Sequence, residues 1–170
     1  MTTKNIKALL VVGSRHGSTY AIANYLSASL NKEGLNTVVA YPEDITSLDA
    51  YDVVFVGSAV YRGKWLKQMR EFVDDFADEI QTKKCYLFSS GQVGKHPMPE
   101  YDSAVHVDDI LEKTGAAEHA LFTGELDKSK LGLAERVVAK VSKVPEGDYR
   151  NWDEIDFWAK QCASKIMSES

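Results

Sequence analysis

The first chemical signal is Gly13-Ser14-Arg15-His16-Gly17-Ser18-Thr19, a turn set between an apolar run and an amphipathic segment. A turn leading from a strand into a helix aims backbone N–H groups and the positive end of the helix dipole at one point, which makes an anion site. Ser14, Ser18 and Thr19 add hydroxyl donors, Arg15 and His16 lie in the same turn, and Gly17 lets the backbone approach the anion without a Cβ in the way. A dinucleotide fold would place G-x-G-x-x-G here and a nucleoside triphosphatase G-x-x-x-x-G-K-[ST]; neither is present. The turn suits one terminal phosphate.

Two more segments share this character. Ser58-Ala59-Val60-Tyr61-Arg62-Gly63-Lys64-Trp65 follows a second apolar run, and Ser89-Ser90-Gly91-Gln92-Val93-Gly94-Lys95-His96 follows a third. A flat ring system needs two facing walls with backbone donors and acceptors at its polar edge, which small-residue loops supply and aromatic side chains complete.

The elements that must position these loops alternate. Ile6 to Val12 is a continuous apolar run closed by Gly13, the pattern of a strand buried on both faces. Ile22, Ala23, Tyr25, Leu26 and Leu30 recur at helical spacing between Ser18 and Leu30, and Gly34 supplies a stop. Strands are then expected over Asn36 to Tyr41, Asp52 to Val56, Cys85 to Phe88 and Ala117 to Thr123. A helix from about Lys64 to Ile80 places Leu66, Met69, Phe72, Val73 and Phe76 on one stripe, and another is expected from about Ser103 to Thr114. Asn151, with Glu154 three residues on, caps a last helix from Trp152 to Ile166 whose buried face is Trp152, Ile155, Trp158, Ala159, Cys162 and Ile166. Strands this apolar must be covered on both faces. The expected fold is therefore a single α/β domain over residues 1–170, a three-layer sandwich on a five-stranded parallel sheet with right-handed crossovers. All three loops then open at the carboxyl edge of the sheet, where such folds bind ligands.

The chain resembles the flavodoxin family, which implies a sheet of order 2-1-3-4-5. Ser14, Gly17, Thr19, Ala23 and Leu26 fall on the spaced positions of the family's signature, with Val12 where an aromatic is usual. Over most of its length it is similar to the flavodoxin-domain branch that includes menaquinone-dependent protoporphyrinogen oxidase, through SRHGSTYAIANYL, GSAVYRGKWLKQMREFV and GDYRNWDEIDFWA. The resemblance implies FMN as cofactor. It places phosphate contacts on Ser14, Arg15, His16, Gly17, Ser18 and Thr19. It places ring contacts on Ser58, Ala59, Val60, Tyr61, Arg62, Gly63 and Trp65 and on Ser89, Ser90, Gly91, Gln92, Val93 and Gly94, with Tyr61 or Trp65 as the stacking residue. Many flavodoxins carry a Tyr in the later loop as well, whereas here the first aromatic after Ser89 is Tyr101, so one ring face is expected to open to substrate.

Composition narrows the function. At 170 residues, 44% hydrophobic and 26% charged, the chain is a globular single domain, and its net charge of -5 gives no overall field for nucleic acid. Cys85 and Cys162 stand far apart, without metal-ligand or disulfide spacing, and fit a reducing cytoplasm; the carboxylate pairs Asp74-Asp75 and Asp108-Asp109 read as solvated helix faces, so no metal is expected. The start, MTTKNIKALLVVG, does not read as a signal peptide or membrane span. A signalling receiver domain shares this sheet order but needs acidic residues after the first strand and an Asp after the third, where this chain has Ser14-Arg15 and Gly57-Ser58. The contest is between an electron-carrying flavodoxin docking on redox proteins and a flavin oxidoreductase of a planar small molecule linked to a quinone.

Charge favours the oxidoreductase. Carriers of low potential are expected to ring the flavin with carboxylates, whereas Arg62, Lys64, Lys67, Lys95 and His96 lie in or beside the two ring loops. One cation about 6 Å away at an effective dielectric near 20 contributes roughly 3 kcal/mol, on the order of 100 mV per electron before screening. A basic amphipathic stretch, Lys128 to Val144, offers peripheral membrane contact, which is not the favoured reading; packing on the sheet, docking of a protein and a simply solvated face are the alternatives.

Overall fold

The computed structural model describes residues 4–15, 17–61, 63–92, 106–123, 125–126, 147–148 and 150–170. Strand β1, Lys7–Gly13, is buried from Ala8 onward. Helix α1, Ser18–Lys32, follows and buries Ile22, Ala23, Leu26 and Leu30 against the sheet, while Tyr25 stays exposed and packs its ring 4.9 Å from that of Trp152. The chain continues through β2 (Asn36–Ala40), β3 (Val53–Tyr61), a short β4 (Lys64–Trp65), α2 (Lys67–Gln81) and β5 (Lys84–Gln92). It ends with α3 (Asp108–Thr114), β6 (Glu118–Thr123), the pair β7 (Glu125–Leu126) and β8 (Gly147–Asp148), and α4 (Trp152–Ser168).

The main sheet runs β2-β1-β3-β5-β6, all parallel, with β4 antiparallel to β3 at its end. Set β4 aside and this is the order 2-1-3-4-5. One face of the sheet packs Leu10, Val12, Phe55 and Phe88 against α1 and α4, and the other packs Leu9, Val11, Val54, Val56 and Leu87 against α2 and α3. Alternate residues of each strand thus feed opposite cores, which is why the runs read as continuously apolar. The side chain of Asn151 accepts the Glu154 N–H at 3.2 Å and caps α4 as its sequence indicates.

Four boundaries differ markedly from the sequence reading. Strands β3 and β5 continue past the expected ends at Val56 and Phe88 because Gly57, Ser58 and Ala59 keep pairing in register with Phe88, Ser89 and Ser90. Helix α2 begins at Lys67 instead of Lys64, since Lys64 and Trp65 turn back to pair with Tyr61 and Val60. Helix α3 begins at Asp108; His106 and Val107 are not helical, and residues 103–105 of the expected helix lie outside the described residues. No helix among the described residues is long and apolar enough to cross a membrane, and Lys128 to Val144 lies outside them.

Candidate functional site

The carboxyl ends of β1, β3 and β5 are adjacent in the sheet, Gly13 pairing with Ser58 and Ser58 with Ser89. The three expected ligand segments therefore meet at one edge. In the first, the Gly17 N–H donates to Ser14 Oγ at 2.9 Å, which folds the turn tightly on itself. Gly17 is the N-cap of α1 at φ 87°, a left-handed conformation, and it gives the first turn no side-chain cap. An N-terminal turn whose N-cap supplies no side-chain bond leaves N–H groups to be met by other partners, and the turn itself holds no Asp or Glu. This donor set fits a phosphate. Ser18 is half-buried, Thr19 is 2% exposed, and His16 lies outside the described residues.

The second segment is a hairpin. Ala59, Val60 and Tyr61 are half-buried at the end of β3, and Gly63 returns the chain to β4. The guanidinium of Arg15 lies 4.5 Å from the centre of the Tyr61 ring, so a cation–π contact joins the phosphate turn to the hairpin. The Gly63 carbonyl accepts the His106 N–H at 2.7 Å and ties the hairpin to the approach to α3. Arg62, Val93, Gly94, Lys95 and His96 lie outside the described residues, while Lys64 and Lys67 are exposed, Lys67 standing 3.6 Å from Glu71.

Trp65 is corrected. Its indole is 2% exposed, packed with Leu9, Val56, Met69 and Leu87, and donates from Nε1 to Ser89 Oγ at 2.7 Å. It has no face open to a flat ligand, so of the two aromatics named for stacking only Tyr61 stands at the rim.

Ser58 and Ser89 are also turned inward. Both are fully buried; Ser58 Oγ donates to the Ala59 carbonyl at 2.8 Å and accepts the Leu66 N–H at 3.0 Å. These hydroxyls fasten β4 and the start of α2 to the sheet. Ser90 is 1% exposed, Gly91 is exposed, and Gln92 ends the strand.

Gly91 makes the third segment possible. It sits at φ 146°, and a Cβ there would fall 2.9 Å from the Val60 carbonyl oxygen. The ends of β3 and β5 approach backbone to backbone because nothing projects between them. Gly91→Ala is expected to destabilise the chain by about 1–3 kcal/mol, read from the urea midpoint; an unchanged midpoint contradicts this contact.

His119 is the residue sequence reasoning missed. It is half-buried on β6 with Nε2 2.7 Å from Ser89 Oγ, and burial pushes its pKa down, keeping the ring neutral. Its partner lies 30 positions away in the chain, so no local pattern marks it. The two thiols are buried in the core, where desolvation pushes Cys85 up to about 12 and also raises Cys162.

A cleft of about 400 Å³ between α2 and α3 lies to one side of the hairpin, with Lys64 at its edge. Arg70 and Lys113 face Asp74, Asp108 and Asp109 across it, and Lys113 reaches Asp74 at 2.7 Å. Its mixed charge selects no ligand.

Comparison with known proteins agrees with this fold. Protoporphyrinogen IX dehydrogenase [quinone] of Escherichia coli (strain K12) is 23% identical over 172 aligned positions, covering 93% of this chain and 95% of that protein. Among solved structures, a flavodoxin from the domain Archaea superposes with a TM-score of 0.61 at 19% identity, over 95% of this chain and 99% of that one. The Streptococcus pneumonia TIGR4 flavodoxin gives 0.63 at 20% identity, over 96% and 99%. Residues 9–153 match the flavodoxin domain family. The chain belongs to the flavodoxin-domain family, and FMN is the cofactor that this membership implies.

Proposed function

We propose that this chain is an FMN-dependent oxidoreductase that oxidises a planar substrate of the protoporphyrinogen type and delivers the electrons to a quinone. The observation that carries the reading is the charge of the site: its three segments contain Arg15, Arg62, Lys64 and Lys95 and not one Asp or Glu. Arg15 is engaged with Tyr61 and Lys64 is exposed beside it, so positive charge stands at the rim where a reduced, anionic flavin would be stabilised. The similarity to the E. coli dehydrogenase along nearly the whole length of both proteins points the same way.

Under this reading Ser14, Arg15, His16, Gly17, Ser18 and Thr19 hold the phosphate, Tyr61 stacks on the ring, and the backbones of Ala59, Val60, Ser90, Gly91, Gln92, Val93 and Gly94 border it. FMN supplies two-electron transfer between substrate and quinone when bound. Ser58, Trp65 and Ser89 act from beneath by holding the hairpin. A small-molecule substrate, a quinone and a cytoplasmic site of action, with no nucleic acid, complete the proposal.

Two experiments test it. Photoreduction of the FMN-loaded protein is expected to pass from the oxidised to the two-electron-reduced form with little radical signal by electron paramagnetic resonance. A large, long-lived radical favours a carrier that exchanges single electrons with protein partners. Anaerobic incubation of the loaded protein with protoporphyrinogen and a menaquinone analogue is expected to yield fluorescent porphyrin in a quinone-dependent manner. A rate equal to that of free FMN contradicts the proposal.

A further inference from the structure

Three strands meet through one hydroxyl. Ser89 Oγ lies 2.7 Å from Trp65 Nε1 on β4 and 2.7 Å from His119 Nε2 on β6, and Ser89 itself is fully buried on β5. An indole N–H can only donate, so Ser89 Oγ accepts from Trp65. The single proton of the hydroxyl then needs an acceptor away from water, and His119 Nε2 is the group in place. The imidazole is thereby fixed as the neutral tautomer with its proton on Nδ1, which agrees with the burial that keeps the ring uncharged.

The direction of this relay matters because of what it holds. Trp65 pairs with Val60 and its neighbour Lys64 pairs with Tyr61, so the indole anchors the strand that backs the candidate stacking residue. Ser89 stands two residues before Gly91, where β5 passes closest to Val60.

We propose that His119 is a positioning residue of the flavin site: by accepting the Ser89 hydroxyl proton at Nε2, it keeps the Ser89 oxygen turned to the Trp65 indole and so holds the Tyr61 hairpin against the end of β5. The inference rests on the FMN reading above and adds to it a residue that does not touch the cofactor. Leu at position 119 fills space but accepts no proton, leaving a buried hydroxyl unpaired. Gln presents an amide oxygen near the position of Nε2 and can replace it.

The test follows the indole N–H signals of ¹⁵N-labelled protein together with FMN affinity by calorimetry. The chain has 3 tryptophans, and Trp65→Phe assigns the relevant signal by deleting it. His119→Leu is expected to shift the Trp65 signal toward that of an unbonded indole and to weaken FMN binding by about tenfold or more. His119→Gln is expected to keep the signal and to bind within about threefold of the native chain. Trp65→Phe combined with His119→Leu is expected to bind no more weakly than Trp65→Phe alone. Equal losses in His119→Leu and His119→Gln mean packing only and overturn the inference, as does a His119→Leu protein with native signal and affinity. Where His119→Leu does not fold, Ser89→Ala removes the centre of the relay without adding bulk; a native Trp65 signal in that variant overturns the inference. Failure of the native chain to bind FMN overturns the functional reading and this inference together, whereas native binding with an indifferent His119 overturns the inference alone.

Discussion

Riboflavin is expected to bind this chain at least about 100-fold more weakly than FMN, because the two differ only in the phosphate, which we place at the turn from β1 to α1. A hydrogen bond to a charged group contributes about 1.5–3 kcal/mol, and each 1.4 kcal/mol is about tenfold. Two such bonds at a helix N-terminus already reach the stated factor. The expectation is specific to this turn: Gly17 opens the backbone in a left-handed conformation, and as N-cap of α1 it brings no side-chain cap of its own to compete with a ligand. Thr19→Ala is expected to remove about 1–3 kcal/mol of FMN affinity while leaving riboflavin affinity unchanged. Calorimetric titration of both ligands into native and variant protein measures this. Equal affinity for the two ligands contradicts the phosphate site.

Trp158→Ala is expected to cost about 3–5 kcal/mol of stability, a large share of the roughly 5–15 kcal/mol available to a domain. Trp158 is 8% exposed on α4, and its ring is surrounded by Phe55 at 5.9 Å, Tyr86 at 6.4 Å, Phe88 at 6.4 Å and Phe122 at 5.6 Å. Those partners come from β3, β5 and β6, so one side chain docks the last helix across three strands. Its contacts are largely edge-to-face, the geometry that aromatic quadrupoles favour. Urea denaturation gives the value directly; a loss below about 1 kcal/mol would mean that the cavity collapses or that α4 contributes little.

The alternation of strands and helices was legible because every central strand is buried on both faces. Leu9 and Leu10 serve opposite cores, and so do Val54 and Phe55. The turn from β1 to α1 is legible for a different reason, since a Gly and several hydroxyls between a strand and a helix form a local pattern. The ring segments were harder to read. Ser58 and Ser89 looked like loop residues that face a ligand, and in sequence a small polar residue after an apolar run does end a strand. Here the run continues in register, and both hydroxyls find partners inside the core: Leu66 N–H for Ser58, Trp65 and His119 for Ser89. Trp65 was misplaced for the same reason, because its partner is 24 residues away and only the assembled sheet brings them together. The sequence also places the start of α2 too early, since the apolar stripe from Leu66 onward carries no mark of Lys64 and Trp65 turning back to pair with β3.

The central claim is that the ends of β1, β3 and β5 form one FMN site. Its most direct test is the visible absorption spectrum of the protein after loading with FMN and removal of unbound ligand. One FMN is expected to be retained per chain, with absorption bands shifted from those of free FMN by stacking on Tyr61, and with bands closer to the free spectrum in Tyr61→Leu. Protein that emerges colourless, or that retains FMN with an unperturbed spectrum whether or not Tyr61 is present, contradicts it.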